Sequence, residues 1–143
     1  MKSILLTVIS FCVISLSSCK KDDNSTNITT SAVTATVVTG NWRITYYYDT
    51  DHEETNNYSG YSFVFANNNT VTATKTGTTA INGTWNTALD DSKTKLVLSF
   101  SSPASFVEIS DDWHVIERTD TKIRLQDVSG GNGGVDFLTF ERN

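Results

Sequence analysis

The chain has 143 residues, with 11 Lys and Arg against 16 Asp and Glu and a formal net charge of −5. That length fits one domain of ordinary size, and an acidic chain offers no basic face to phosphates, which argues against nucleic acid as a partner. Hydrophobic residues at 38% are too many for a fully disordered chain and too few for a multi-span membrane protein.

The segment from Met1 to Cys19 comes first. Lys2 supplies a positive start, and Ile4 to Leu16 is an uncharged, largely apolar run. The run falls short of the roughly 20 residues that a transmembrane helix needs and suits the apolar region of a signal peptide. Leu16-Ser17-Ser18-Cys19 then resembles the lipobox of bacterial lipoproteins: branched apolar, small, small, Cys. The resemblance implies cleavage after residue 18, a diacylglyceryl thioether on Cys19 and acylation, for example with palmitate, of the new amine. Cys12 leaves with the signal peptide. Two or three acyl chains make a lasting membrane anchor where one chain is marginal. Lys20-Lys21-Asp22-Asp23 follows and is similar to the Lys-acidic-acidic export signal of surface lipoproteins. The expected location is therefore the outer membrane, lipid-anchored and exposed at the cell surface.

Residues 19–39 read as the lipidated Cys and a flexible tether. The stretch is rich in Ser, Thr and Asn and has no aromatic residue, so it buries too little apolar area to offset chain entropy. Val33 to Val38, at its end, is β-prone and could join the domain as an edge strand. The folded unit is expected over residues 40–143.

That unit reads as all-β. Trp42, Ile44, Tyr46 and Tyr48 alternate with Arg43, Thr45 and Tyr47. Tyr61, Phe63 and Phe65 share a face, as do Ile81, Gly83 and Trp85, then Leu96, Leu98 and Phe100, then Trp113, Val115 and Glu117. Ile123, Leu125 and Asp127 follow, and Val135 to Phe140 closes the chain. Asn67-Asn68-Asn69, Lys75-Thr76-Gly77, Asp90-Asp91-Ser92, Thr119-Asp120 and the Gly130–Gly134 stretch separate these runs. Asn and Gly tolerate the positive φ that tight hairpins require. Pro103-Ala104-Ser105 could open one helical turn, too short to assign. About eight strands emerge, spaced as in sandwiches and barrels. Successive hairpins favour a small up-and-down antiparallel barrel over a β-sandwich, because closure removes exposed edges.

Gly40-Asn41-Trp42 at the first strand and Phe140-Glu141-Arg142 on the last carry a second resemblance. The chain is similar to small lipocalin-like (calycin-type) bacterial lipoproteins, with Gly40/Trp42, Phe63/Phe65, Asn69-Thr70-Val71, Gly83/Trp85 and Phe140/Arg142 in that family's order. The resemblance implies that the Arg142 guanidinium caps the Trp42 indole at one barrel end. It also implies a small apolar or amphipathic ligand inside the barrel, under the Asp49–Tyr58 loop, against Tyr46, Tyr48, Phe63, Trp85 and Trp113. The alternative is a cell-surface interaction or scaffold lipoprotein with a filled barrel, contacting protein or glycan through its outer Tyr residues and acidic loop.

Enzymatic chemistry finds little footing. No Ser lies in a Gly-x-Ser-x-Gly elbow, no His pair has zinc spacing and no glycine loop leads into a helix. His52 and His114 fall on different elements. Glu108, Glu117 and Asp127 could project inward as acid–base carboxylates, though alternation alone brings no two together. Asp49, Asp51 and Glu53 alternate as calcium ligands do, but without EF-hand spacing they read as a solvated acidic loop. The protein is read as a non-enzymatic monomer with no cofactor and no metal, its partners being the membrane through Cys19 and a small ligand or surface macromolecule.

Overall fold

The computed structural model describes residues 28–128 and 134–143. The lipobox, Cys19 and the Lys20–Asp23 signal lie outside the described residues. In chain order the elements are helix α1 (Thr30–Val37), strand β1 (Trp42–Asp49), the short β2 (His52–Glu53), a 3-10 turn (Thr55–Tyr58), β3 (Ser62–Phe65), β4 (Thr70–Thr74), β5 (Ile81–Asp90), β6 (Lys93–Phe100), helix α2 (Ala104–Glu108), β7 (Asp112–Arg118), β8 (Lys122–Val128) and β9 (Val135–Arg142). Every strand pairs antiparallel with its neighbour, and β1 pairs with β9 from Trp42↔Arg142 to Tyr48↔Phe137. β1 and β3–β9 therefore close into an eight-stranded up-and-down barrel. β2 is added outside it as the return arm of a hairpin, with Tyr48↔Glu53 and Asp49↔His52 opposite each other. The expectation of an all-β barrel holds, with one strand more than the alternation suggests.

The turns follow the predicted chemistry. Asn69, Asp91 and Ser92 adopt positive φ at the β3–β4 and β5–β6 hairpins. Gly83 is required for a different reason. It sits opposite Phe100 in the ladder, and a Cβ there would lie 2.5 Å from both the Phe100 ring and the Ser99 carbonyl.

Alternating residues fill the interior. Trp42, Phe63, Val71, Ala73, Leu96 and Leu125 are fully buried, and the core joins every strand of the closed barrel to both helices. An eight-stranded barrel is just wide enough for side chains to fill it. Rings pack edge to face: Phe63 on Phe140 at 5.4 Å, Phe65 on Trp85 at 5.7 Å and Tyr47 on Trp113 at 6.5 Å.

Residues 30–37 depart from the expected tether and from the proposed Val33–Val38 edge strand. They form α1, which contacts β5 and β6. The Thr29 hydroxyl caps the helix by accepting from the Ala32 amide at 3.2 Å. Val33 and Val37, four residues apart and so on one helical face, are buried in the core. β-branched residues are poor intrinsic helix formers, and here burial of that face outweighs propensity. The ordered unit thus begins before Gly40.

Candidate functional site

Three places assemble the residues singled out by the sequence: the Trp42–Arg142 end of the barrel, the aromatic strand β1, and the acidic hairpin beside the 3-10 turn.

At the first, β1 begins and β9 ends side by side. The Arg142 guanidinium carbon lies 5.1 Å from the Trp42 ring centroid, within cation–π range. The Trp42 indole donates to the Val37 carbonyl at 2.9 Å, so α1 is fastened to the same residue. Arg118 donates to the Thr36 hydroxyl at 2.9 Å and Thr94 to the Ile28 carbonyl at 2.9 Å. α1 thereby seals this end. The Arg142 side chain makes no carbonyl hydrogen bond among the described residues, and its Nε is buried without a partner.

On β1 the predicted alternation fails at one residue. Ile44 pairs with Phe140 but Tyr46 pairs with Thr139, so Thr45 is an extra residue, a β-bulge. A one-residue slip moves every later side chain to the other face. Tyr47, expected to point out, is 2% exposed and faces the core. Tyr46 and Tyr48, expected to line a ligand cavity, stand on the outer side with parallel rings, centroids 6.3 Å apart. A second bulge, between Val115 and Glu117, does the same on β7. Glu117 therefore does not project inward. It lies opposite Arg124 and binds Lys122 at 2.6 Å and Arg124 at 3.1 Å. The hydrogen bond from Lys122 holds its carboxyl below the usual range.

Phe63, Trp85 and Trp113, the other residues expected to line a cavity, are core. They are 0%, 4% and 1% exposed and packed against neighbouring rings. The Trp85 indole donates to the Ala66 carbonyl and that of Trp113 to the Ile109 carbonyl, both at 3.0 Å. The far end is filled by α2. Phe106 meets Tyr58, Tyr61, Phe63 and Phe100 at 5.1–5.8 Å. The Tyr58 hydroxyl donates to the Ser105 carbonyl at 2.5 Å and the Tyr47 hydroxyl to the Glu108 carbonyl at 3.3 Å. Burial first pushes both phenols far above the ordinary tyrosine range, followed at Tyr47 by Asp49 and other carboxylates and at Tyr58 by Tyr47 itself and then Glu108.

The acidic stretch is ordered rather than a long loop. His52 sits between the Asp51 and Glu54 carboxylates, and its Nε2 lies 2.7 Å from Glu54. Those two hydrogen bonds raise its pKa. Glu54 also accepts from the Asn57 amide at 2.9 Å, and Thr50 binds Asp136 through both backbone and hydroxyl. Asp51 and Glu54 thus favour the protonated form of the imidazole between them. Glu108 stands exposed on α2 rather than inside the barrel, with its pKa raised by partial burial and then by Glu54. Asp127 meets Asp111 and Asp112 at the surface, where their carboxylates lie within 4.8 Å of one another. Burial raises the Asp111 pKa. His114 is half-buried, and its pKa is lowered by burial and by Lys93 and Lys95. The two His residues lie on separate elements, and the expected inward carboxylates do not meet.

Sequence reasoning gave no sign of the seam between β1 and β3. The two strands touch at a single pair, Trp42↔Phe63. Beyond it the 3-10 turn takes the place of a partner strand: the Thr55 hydroxyl accepts from the Tyr47 amide at 2.9 Å and the Glu54 amide donates to the Tyr47 carbonyl at 3.0 Å. A groove of about 330 Å³ is left between the strand and the turn.

Sequence comparison finds no matching family model and no matching curated protein. By structure, the chain is similar to the crystal structure of a DUF4847 family protein from Bacteroides vulgatus, with a TM-score of 0.53 and 15% identity. The match covers 78% of this chain and 97% of that one. Likeness at this level of identity bears on the barrel fold alone.

Proposed function

We propose that this chain is a non-enzymatic, lipid-anchored lipoprotein of the outer membrane that displays a filled β-barrel at the cell surface as an interaction module toward protein or glycan. The observation that carries the proposal is the occupied interior: Trp42, Phe63 and Trp113 are at most 1% exposed, and α1 and α2 stop the two ends. Side chains buried to this extent along the barrel axis favour this reading over the ligand-carrying one. Recognition then falls to the outer surface. There Tyr46 and Tyr48 offer flat area with a hydroxyl, and the His52 hairpin and the β1–β3 groove stand beside them.

Two experiments test the reading. Protein purified from its host is expected to show its bare lipidated mass by native mass spectrometry and not to enhance the fluorescence of an apolar dye. A co-purified small molecule, or dye binding quenched by Trp113→Phe, would restore the carrier reading. Cys19→Ala is expected to leave the precursor uncut and unlabelled by radioactive palmitate. Normal processing of that variant would overturn the anchor.

A further inference from the structure

The β1–β3 groove is a built depression rather than a gap. β1 is held by β9 on one side, and its other edge loses β3 after one residue pair. The 3-10 turn and the Ser59-Gly60-Tyr61 segment form the opposite wall, pinned by the Tyr58 hydroxyl and by the Tyr61 ring against Phe106 at 5.1 Å. The stretch of β1 edge left open is too short to accept an added strand, so the groove suits a compact ligand. At about 330 Å³ it lies at the small end of ligand sites, which run from roughly 300 to 1,000 Å³.

Its lining mixes polar groups with the apolar surface of Ile44, Tyr58 and Tyr61, the two kinds of surface that a sugar's hydroxyls and C–H faces present together. Arg43, Asn56, Ser59, Tyr61, Ser62 and Asn143 face the space, and no Asp or Glu is among the lining residues. Arg43 is the one cation of the lining, and its charge is answered from outside the groove by Glu141 at 3.5 Å. Ser62 and Asn143 hydrogen-bond each other at 3.2 Å. The Asn56 amide and the Ser59 and Tyr61 hydroxyls are engaged by no other side chain or backbone group among the described residues, so a ligand that replaces their water meets both donors and acceptors on one small surface. An anion would find a cation already matched, and an apolar ligand would strip water from these groups without replacing it. A neutral, hydroxyl-rich ligand satisfies donors and acceptors together.

We infer that the β1–β3 groove is a binding site for a neutral carbohydrate, such as the end of an uncharged glycan. The inference rests on the surface-interaction reading and narrows its partner to glycan.

The test uses the full lipidated protein in detergent, with neutral methyl glycosides and their di- and trisaccharides as probes, and glucuronate and inorganic phosphate as anionic controls. Binding is read by saturation-transfer NMR and calorimetry. At least one neutral sugar is expected to bind. Asn56→Ala and Ser59→Ala, both at exposed positions, are each expected to weaken it by tenfold or more, with unchanged melting temperature. Leu89→Ser, exposed on β5 and outside the groove lining, is expected to leave binding within twofold. Three results would overturn the inference: no neutral sugar binds, only the anions bind, or the two groove variants bind sugar as well as the parent. If, instead of sugar, a protein partner binds through Asn56 and Ser59, the glycan assignment fails while the surface-interaction reading stands. Dye or lipid found inside the barrel would remove the reading beneath it.

Discussion

Replacing Arg142 separates what packing does from what charge does at the α1-sealed end of the barrel. The guanidinium over Trp42 at 5.1 Å contributes about 1–2 kcal/mol as a partly desolvated cation–π pair. The Cδ and Cγ methylenes of its stem lie 3.2 and 3.5 Å from where a Cβ on Gly40 would stand, and half-burying the two adds about 1 kcal/mol. Against these stands the buried Nε, which has no acceptor and costs about 1 kcal/mol. Arg142→Ala loses the first two and relieves the third, for a net destabilisation of about 1.5 kcal/mol. Arg142→Met keeps the stem, removes the unpaired N–H and sets a sulfur near the indole, which offsets part of the lost charge. It is expected to lie within about 0.5 kcal/mol of the parent. Urea denaturation followed by tryptophan fluorescence measures both values, provided the slope with denaturant is unchanged. A loss below about 0.5 kcal/mol for Arg142→Ala would mark ordinary surface behaviour and refute the cap. Equal losses for Ala and Met would show that charge, not packing, holds the end together.

Three other outcomes are expected. Gly83→Ala places a Cβ against backbone as well as the Phe100 ring and should cost about 2 kcal/mol or more in the same denaturation assay. Removing the residues before Gly40 uncovers the pocket filled by Val33 and Val37 and should lower stability by at least about 2 kcal/mol. An unchanged midpoint would mean that α1 is a passive tail. His52 has a folded-state pKa above its unfolded value because Asp51 and Glu54 accept from it. Its contribution is therefore fully present below about pH 6.5 and is lost as pH rises through the folded value. The melting-temperature gap between parent and His52→Gln should accordingly shrink between pH 6 and pH 8. A gap that widens with pH would reverse the assignment.

The barrel was legible because its inward residues obey period two on most strands. Phe63/Phe65, Leu96/Leu98/Phe100 and Ile123/Leu125 are buried as alternation requires. The misses share one cause. A bulge leaves no mark in composition, so extrapolating from Trp42 past Thr45 inverted all three tyrosines, and extrapolating from Trp113 past Ile116 misplaced Glu117. α1 had a readable signal, Thr29 as cap with Val33 and Val37 four apart, but β-branched composition hid it. The groove was illegible for a deeper reason. It arises where β3 stops pairing with β1, a failure of register between segments that no local pattern encodes.

That incomplete pairing also decides how the cylinder breathes. Most margins between strands are multi-rung ladders, whereas β1 meets β3 across one rung. Thermal opening therefore concentrates along this single line, as in a rolled sheet of paper fastened by one staple. Molecules that grip both lips of the slit would tighten the whole roll, so an occupant there and the rigidity of the scaffold are bound to rise and fall together.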